Sequence, residues 1–177
     1  MPCGFIMDAS QSRPVLIAID TNVLLDLAQE VEDVTDAVSV VRGRLCQAEL
    51  LMPPTVREEL ADEALRADDF QDRERAQHAF QLARTRNIRP IDLLEAQLDM
   101  ARRIGRRLRD LDLLPGEEIN DGRLLAEAAL LNCSMLLTSD EHLRGINFER
   151  LTFALQRFDL APPMIATPRE IVQKFFR

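Results

Sequence analysis

Short apolar runs, each bounded by polar or turn-forming residues, recur along the chain and predict buried β-strands. The clearest runs occupy residues 15–19, 50–53 and 135–138, and weaker ones lie at 87–91 and 164–167. Strands that are apolar on both faces are typical of a parallel sheet covered by helices on each side.

Between these runs, apolar residues recur at helical spacing. Thr55 and Glu58 have the spacing of a capping box, which predicts a helix start at this point. Alternating strands and helices predict an α/β fold, a three-layer α/β/α sandwich with a central, mainly parallel sheet. Helices are predicted over 23–28, over 36–50, from Val56, over 61–86, over 93–111, over 124–131 and from Pro168.

The chain of 177 residues has no internal repeat and no linker-like segment, which favours one domain. We expect residues 1–13 to form a flexible N-terminal tail and residues 14–177 a single domain. No apolar run approaches the about 20 residues that span a bilayer, and the N-terminus does not resemble a signal peptide. With three widely spaced cysteines, the expected location is the reducing cytoplasm.

The charge and the metal-ligating residue types narrow the function classes. A net charge of −8 argues against a protein that coats nucleic acid non-specifically, although local charge decides specific contacts. Only two histidines accompany the three cysteines, so a zinc site built from these residues is not expected. Any metal must be held by oxygen ligands.

Four acidic residues lie where predicted strands end and helices begin. Asp20 directly follows the first strand and Asp140 directly follows the segment MLLTS, whereas Glu59 and Asp121 occupy the first turns of helices. Neighbouring strand ends in a parallel sheet are only about 5 Å apart. The four carboxylates are therefore expected to converge at the edge where such sheets bind ligands.

Converging carboxylates repel one another, and a hard cation such as Mg²⁺ or Mn²⁺ relieves that repulsion through oxygen ligands. A bound cation also acidifies water and neutralises phosphate charge, so metal-assisted phosphodiester hydrolysis is the predicted chemistry. Taken singly, however, Asp20, Asp121 and Asp140 each suit a helix N-cap. Spacing alone leaves the two interpretations evenly balanced.

Three segments carry a resemblance to the PIN-domain family. IDTNVLLDL resembles its first motif, and PTVREELADEAL is similar to its second, with Glu59 as the acid before a Leu. NDGRLLAEAALLNCSMLLTSDEHL resembles the third and fourth motifs together, with Asp121 and Asp140 as their acids. The match follows the family order over about residues 14–143.

The resemblance implies a Mg²⁺- or Mn²⁺-dependent nuclease acting mostly on RNA, often the toxin of a VapBC-type toxin–antitoxin module. Asp20, Glu59, Asp121 and Asp140 would then form the catalytic cluster, with the three aspartates as metal ligands. The resemblance also implies an antitoxin partner that covers the acidic edge, and a homodimer.

By the same resemblance, three polar residues beside the acids would support the cluster through hydrogen bonds. These residues are Thr21, Asn22 and Ser139.

An arginine-rich face on the predicted helix over 93–111 is a candidate RNA-binding surface. Arg102, Arg103 and Arg106 lie away from its apolar stripe and are the candidate substrate-binding residues. Intervening acids such as Asp99 have ion-pair spacing, so an ordinary solvated face is the stronger interpretation for any single arginine.

Two other function classes stay open beside the ribonuclease. One is a PIN-like binding or scaffold module with weak or no catalysis. The other is an Asp-dependent phosphatase or a response-regulator receiver, because both place carboxylates at strand ends. Two residues argue against the second class. Asn22 stands where the phosphatase needs a second Asp, and the only lysine, Lys174, is poorly placed for a receiver.

Overall fold

The computed structural model describes residues 14–45 and 47–175. The predicted flexible tail at 1–13 lies outside the described residues. Within the described part of the chain, no helix combines the length and the apolar content that crossing a bilayer requires.

A five-stranded sheet forms the centre of the fold, in the order β3-β2-β1-β4-β5. Every neighbouring pair of strands is parallel, which confirms the predicted α/β class and PIN-like sandwich. The strands are β1 (Val15–Ile19), β2 (Ala48–Met52), β3 (Arg89–Pro90), β4 (Met135–Leu137) and β5 (Met164–Ala166).

Nine helices connect and cover the strands in the described residues. They are α1 (Thr21–Ala28), α2 (Glu32–Arg44), α3 (Pro54–Arg66), α4 (Phe70–Thr85), α5 (Glu95–Asp110), α6 (Ile119–Leu130), α7 (Glu141–Arg144), α8 (Phe148–Gln156) and α9 (Pro168–Phe175).

The central strands are apolar because helices bury both of their faces. Ile17 and Ile19 of β1 and Leu136 of β4 are completely buried, as expected for a covered parallel sheet. From β1 the chain continues to β2 and β3 on one side, and then crosses to β4 and β5 on the other. The carboxyl ends of β1 and β4 therefore form the point where strand order reverses, which is where open α/β sheets bind ligands.

Three predicted helices have clearly different boundaries in the structure, and one of them, predicted over 124–131, begins at Ile119. The helix predicted over 36–50 ends at Arg44, because residues from Ala48 pair with β1 instead. The helix predicted over 61–86 is two helices, since α3 ends at Arg66 and Asp69 caps a new one by accepting a hydrogen bond from the backbone N–H of Gln71 at 2.8 Å. Asp is a favoured N-cap, and it marks this break without glycine or proline.

The predicted capping box of Thr55 and Glu58 is wrong. Proline is favoured at the first helical position, and Pro54 takes it, so Thr55 lies inside the first turn rather than at the cap. The side chains of Thr55 and Glu58 instead contact α6. The long connection between β4 and β5 contains α8, which is not among the helices predicted above.

Candidate active site

Asp20 lies at the junction of β1 and α1, and its side chain has two partners. Oδ1 accepts a hydrogen bond from the backbone N–H of Thr21 at 2.6 Å, and Oδ2 accepts one from the hydroxyl of Thr138 at 2.5 Å. The residue is only 4% exposed. Asp20 therefore caps α1 and is also tied to the end of the neighbouring strand.

Thr138 links two of the predicted acids. Its hydroxyl donates to Asp20 and accepts the backbone N–H of Asp140 at 2.9 Å, and its side chain is completely buried. Asp140 in turn caps α7, with Oδ1 accepting the backbone N–H groups of His142 and Leu143 at 2.7 and 3.0 Å. One buried hydroxyl thus sets the relative positions of Asp20 and Asp140.

Glu59 reaches the cluster from the second turn of α3. Its Oε2 accepts a hydrogen bond from the hydroxyl of Thr21, and its Oε1 accepts one from the side-chain amide of Asn120 at 2.7 Å. Thr21 follows Asp20 and Asn120 precedes Asp121, so these two contacts hold Glu59 beside both aspartates.

Asp121 lies in the first turn of α6, and its Oδ2 is buried without a hydrogen-bond partner among the described residues. The next residue, Gly122, packs directly against Gly105 of α5. A Cβ at Gly105 would lie 2.8 Å from the backbone carbon of Gly122, closer than real contacts allow. This close helix crossing sets the position of Asp121.

Burial and mutual repulsion make these carboxylates hard to ionise. Burial, with the charges of Glu59 and Asp140 adding to it, raises the pKa of Asp20 to about 6 against the opposing hydrogen bonds of Thr138 and Thr21. Burial, followed by the charges of Asp140 and Asp20, raises the pKa of Asp121 to about 7. Each carboxylate disfavours the charge on the next, and a nearby cation would relieve all of them.

Glu118 and His142 extend the cluster beyond the acids expected from sequence. One ligand atom each from Glu118, Asp121 and His142 lies within 4.8 Å of the others, and His142 Nδ1 is 3.1 Å from Glu118 Oε1. The sequence signal for Glu118 is its place one helical turn before Asp121. His142 follows Asp140 closely in the sequence, where an exposed loop residue is a stronger interpretation than a general base. Only the fold brings α7 beside the start of α6.

Of the three supporting residues expected from sequence, only Thr21 forms a side-chain hydrogen bond with one of the four acids in the described residues. Thr21 contacts Glu59, as described above. Asn22 is exposed, and Ser139 is exposed with its hydroxyl 3.5 Å from Asp26 Oδ2. No hydrogen bond among the described residues joins Asn22 or Ser139 to the four acids.

Thr138 has the contacts that were expected of its neighbour Ser139. Its signal in the sequence is its place at the end of the strand predicted over 135–138, two residues before Asp140.

The three candidate substrate-binding arginines, Arg102, Arg103 and Arg106, are all exposed on α5. Arg102 pairs with Asp99 at 2.5 Å, as its one-turn spacing leads one to expect for a surface ion pair.

A groove of about 530 Å³ borders the cluster on the side of α3. We call it the acidic groove, because its lining includes four carboxylates. The four are Glu58, Glu59, Asp62 and Glu63. Two of them form ion pairs: Glu63 with Arg75 at 2.9 Å and Asp62 with Arg66 at 2.9 Å.

The donor set fits a hard divalent cation. It consists of carboxylate oxygens at one sheet edge, and the Oδ2 atom of Asp121 is buried with no partner among the described residues. Oxygen ligands of this kind suit Mg²⁺ or Mn²⁺. Asp20, Asp121 and Asp140 are the residues that would hold such an ion.

Two solved structures share this fold. One is VapBC-1 from nontypeable Haemophilus influenzae, with 16% identity, a TM-score of 0.58, and coverage of 86% of this chain and 98% of the other. The second is VapBC2 from Rickettsia felis, bound to a DNA fragment from the VapBC2 promoter. It has 11% identity and the same TM-score and coverage.

Comparison with curated proteins found no match. The family model of the PIN domain matches residues 17–149, well over half of the chain. That range contains the last three residues of β1, all of β4 and all four of the clustered acids. The chain belongs to the PIN domain family.

Proposed function

We propose that this protein is a Mg²⁺- or Mn²⁺-dependent endoribonuclease. The observation that carries the proposal is the meeting of Asp20, Glu59, Asp121 and Asp140 at the carboxyl edge of β1 and β4, with a buried oxygen of Asp121 left unpartnered. Without a cation the cluster costs free energy of folding, because the neighbouring carboxylates disfavour one another's charge and Asp20 is buried.

The three aspartates and Glu59 have different roles in this proposal. Asp20, Asp121 and Asp140 bind the cation, while Thr138 keeps Asp20 and Asp140 in register. When bound, the cation supplies Lewis acidity that neutralises phosphate charge and makes water a better nucleophile. Glu59, held by Thr21 and Asn120, closes the cluster on the side of α3 and orients what enters there.

The protein is further proposed to be the toxin of a toxin–antitoxin pair. Both structural relatives are VapBC proteins, one of them bound to promoter DNA. The acidic groove offers a surface for a cationic segment of a partner, with an arginine reaching the carboxylates through charge-assisted hydrogen bonds. Co-expression with the product of an adjacent small gene, followed by co-purification, tests this part of the proposal.

The catalytic proposal is tested by cleavage of a labelled RNA with Mg²⁺, with Mn²⁺ and with EDTA. Asp20→Asn and Asp121→Asn each should reduce cleavage by at least 100-fold, an effect of the order that positioned charges contribute in other active sites (about 10²–10³). Asp99→Asn is the matched control, since it removes an exposed carboxylate of α5 and should leave cleavage unchanged.

Equal cleavage in EDTA would overturn the proposed mechanism. Calorimetric titration with Mn²⁺ separates the enzyme from an inactive binding or scaffold module. A module without a metal site should show no binding in the millimolar range, whereas the proposed enzyme should bind and lose that binding in Asp121→Asn.

A further inference from the structure

A second groove lies between the end of α5 and α8, and its charge is opposite to that of the acidic groove. Three arginines line it around an apolar floor, and its volume is about 230 Å³. We call it the cationic groove. Its lining includes Arg107, Arg150, Arg157, Leu111, Leu113 and Phe153.

None of the three arginines pairs with a carboxylate among the described residues. Arg150 instead donates from Nη2 to the backbone carbonyl of Leu111 at 2.6 Å, which fixes α8 against the end of α5. Three unpaired cations in one place are unusual for a chain with a net charge of −8. Charge complementarity therefore calls for an anionic occupant.

The groove also presents an aromatic surface, since Phe153 is 68% exposed. An exposed aromatic ring beside arginines is the combination with which proteins bind single-stranded nucleic acid, through base stacking and phosphate contacts. The volume falls below the about 300–1,000 Å³ of pockets that enclose drug-sized ligands, so a groove for a chain is the better fit.

Cationic residues continue from this groove towards the acids. α5 crosses α6 at Gly105 and Gly122, and Gly122 directly follows Asp121. Arg107 is two residues along α5 from that crossing, about 3 Å of helical rise. Arg109, two residues further along α5, places Nη1 3.1 Å from where a Cβ of Gly122 would lie, buried and without a partner in the described part of the chain.

We infer that the cationic groove binds a single-stranded segment of the RNA substrate, with phosphates on the arginines and a base against Phe153. The inference rests on the proposed function. The acidic groove on the side of α3 repels phosphate, so the RNA approaches the cluster along α5 and α8 instead.

The test measures the affinity of a labelled, unstructured RNA of about 20 nucleotides by fluorescence anisotropy in EDTA, where the proposed reaction does not proceed. Arg107→Gln, Arg150→Gln and Arg157→Gln are combined in one groove variant. The matched control combines Arg42→Gln, Arg44→Gln and Arg84→Gln, which removes the same charge from exposed positions of α2 and α4.

The groove variant should bind at least 10-fold more weakly, and the control within about 2-fold of the unmodified protein. Three lost phosphate contacts should also lower the slope of log K against log salt by about 2, given about 0.7 per contact for single strands. Phe153→Ala should weaken binding with little change in this slope, because it removes stacking rather than charge.

Two single variants distinguish a loss of RNA binding from a folding defect. Arg150 holds the carbonyl of Leu111, so its loss can loosen α8, whereas Arg157→Gln and Phe153→Ala alter exposed side chains only. These single variants should keep the unfolding transition of the unmodified protein and still weaken binding several-fold.

Equal losses in the two triple variants, or unchanged binding by the groove variant, would overturn the inference. So would a groove variant that changes oligomeric state in light scattering but not RNA affinity, since the groove would then be a protein interface. Failure of the proposed function looks different: the unmodified protein binds RNA through this groove yet shows no metal-dependent cleavage.

Discussion

Glu127 of α6 holds the start of α3, accepting hydrogen bonds from the backbone N–H of Thr55 at 3.0 Å and from its hydroxyl at 2.8 Å. The preceding Pro53 and Pro54 offer no side-chain cap, so the carboxylate supplies from another helix what a local residue supplies elsewhere. Glu127 is completely buried. Burial raises the pKa of Glu127, and the two hydrogen bonds from Thr55 offset only part of that effect.

The contact also orders the acidic cluster, because α3 carries Glu59 and α6 carries Asp121. Two further links join the same helices: Arg123 to Glu58 at 2.9 Å and Asn120 to Glu59 at 2.7 Å. The buried Glu127–Thr55 contact is the least exposed to solvent of the three and is screened least.

Replacing Glu127 by Ala should lower the free energy of unfolding by about 2–4 kcal/mol, because it leaves the N–H of Thr55 buried and unsatisfied. Glu127→Gln should retain most of the stability, since the amide can accept from the N–H and donate to the hydroxyl. Urea unfolding measures both. Mn²⁺ affinity should fall in Glu127→Ala and recover in Glu127→Gln.

Glu117→Ala is the control, an exposed glutamate whose loss should change stability by no more than about 0.5 kcal/mol. If Mn²⁺ affinity were the same in all three variants, the Glu127–Thr55 contact would stabilise the fold without positioning the cluster.

Thr138→Val should uncouple Asp20 from Asp140, because it removes the one hydroxyl that contacts both. The lost donor leaves Asp20 Oδ2 unsatisfied, so the pKa of Asp20 should rise further and stability should fall by about 1–3 kcal/mol. Metal-dependent RNA cleavage should fall with it. Thr138→Ser keeps the hydroxyl and should stay near the unmodified protein in both measurements, and a Val variant that matched it would contradict the role of the hydroxyl.

The strands and the four acids could be predicted from sequence because their signals are local. Apolar runs such as 15–19 and 135–138 mark buried strands. Asp20 directly follows the first run, and only Ser139 separates Asp140 from the second. Once the strands are parallel, their carboxyl ends meet at one edge, so convergence of the acids follows from topology alone.

The contacts that order the site could not be predicted, because they join residues far apart in sequence. Thr55 meets Glu127 across 72 positions and Thr138 meets Asp20 across 118. A capping-box spacing at Thr55 was the local alternative, and packing against α6 overrode it. The cationic groove likewise depends on contacts between α5 and α8, such as that of Arg150 with Leu111 across 39 positions.

The metal-free protein should become less stable as pH rises, and Asp121 should account for part of the loss. Its pKa is about 7 in the folded chain against an ordinary 3.8, so the folded state binds its proton more tightly than the unfolded state. Stability is then highest below about pH 4 for this group and falls until pH passes about 7. Urea unfolding in EDTA at several pH values measures the slope.

Asp121→Asn cannot ionise at this position and should show a shallower loss of stability over the same pH range. Asp20 contributes in the same direction up to about pH 6 and is present in both proteins. Asp99→Asn should keep the slope of the unmodified protein. Identical slopes for Asp121→Asn and the unmodified protein would show that Asp121 is not the group whose ionisation is penalised.

Gly105→Ala tests the helix crossing that places Asp121. Alanine normally stabilises a helix interior relative to glycine by about 1 kcal/mol, but a Cβ at Gly105 would lie 2.8 Å from the backbone carbon of Gly122. Backbone cannot yield as a flexible side chain does, so the overlap should dominate and cost about 1–3 kcal/mol.

Gly43→Ala provides the opposite case within the same protein. Gly43 also lies in a helix, α2, but nothing lies within 4 Å of its Cβ position. Here only the helix preference acts, so stability should rise by about 0.5–1 kcal/mol. Thermal unfolding should therefore shift in opposite directions for the two alanine variants, and Mn²⁺ affinity should fall only in Gly105→Ala. A stabilised Gly105→Ala would show that α5 and α6 have room to separate, and that the crossing does not set the position of Asp121.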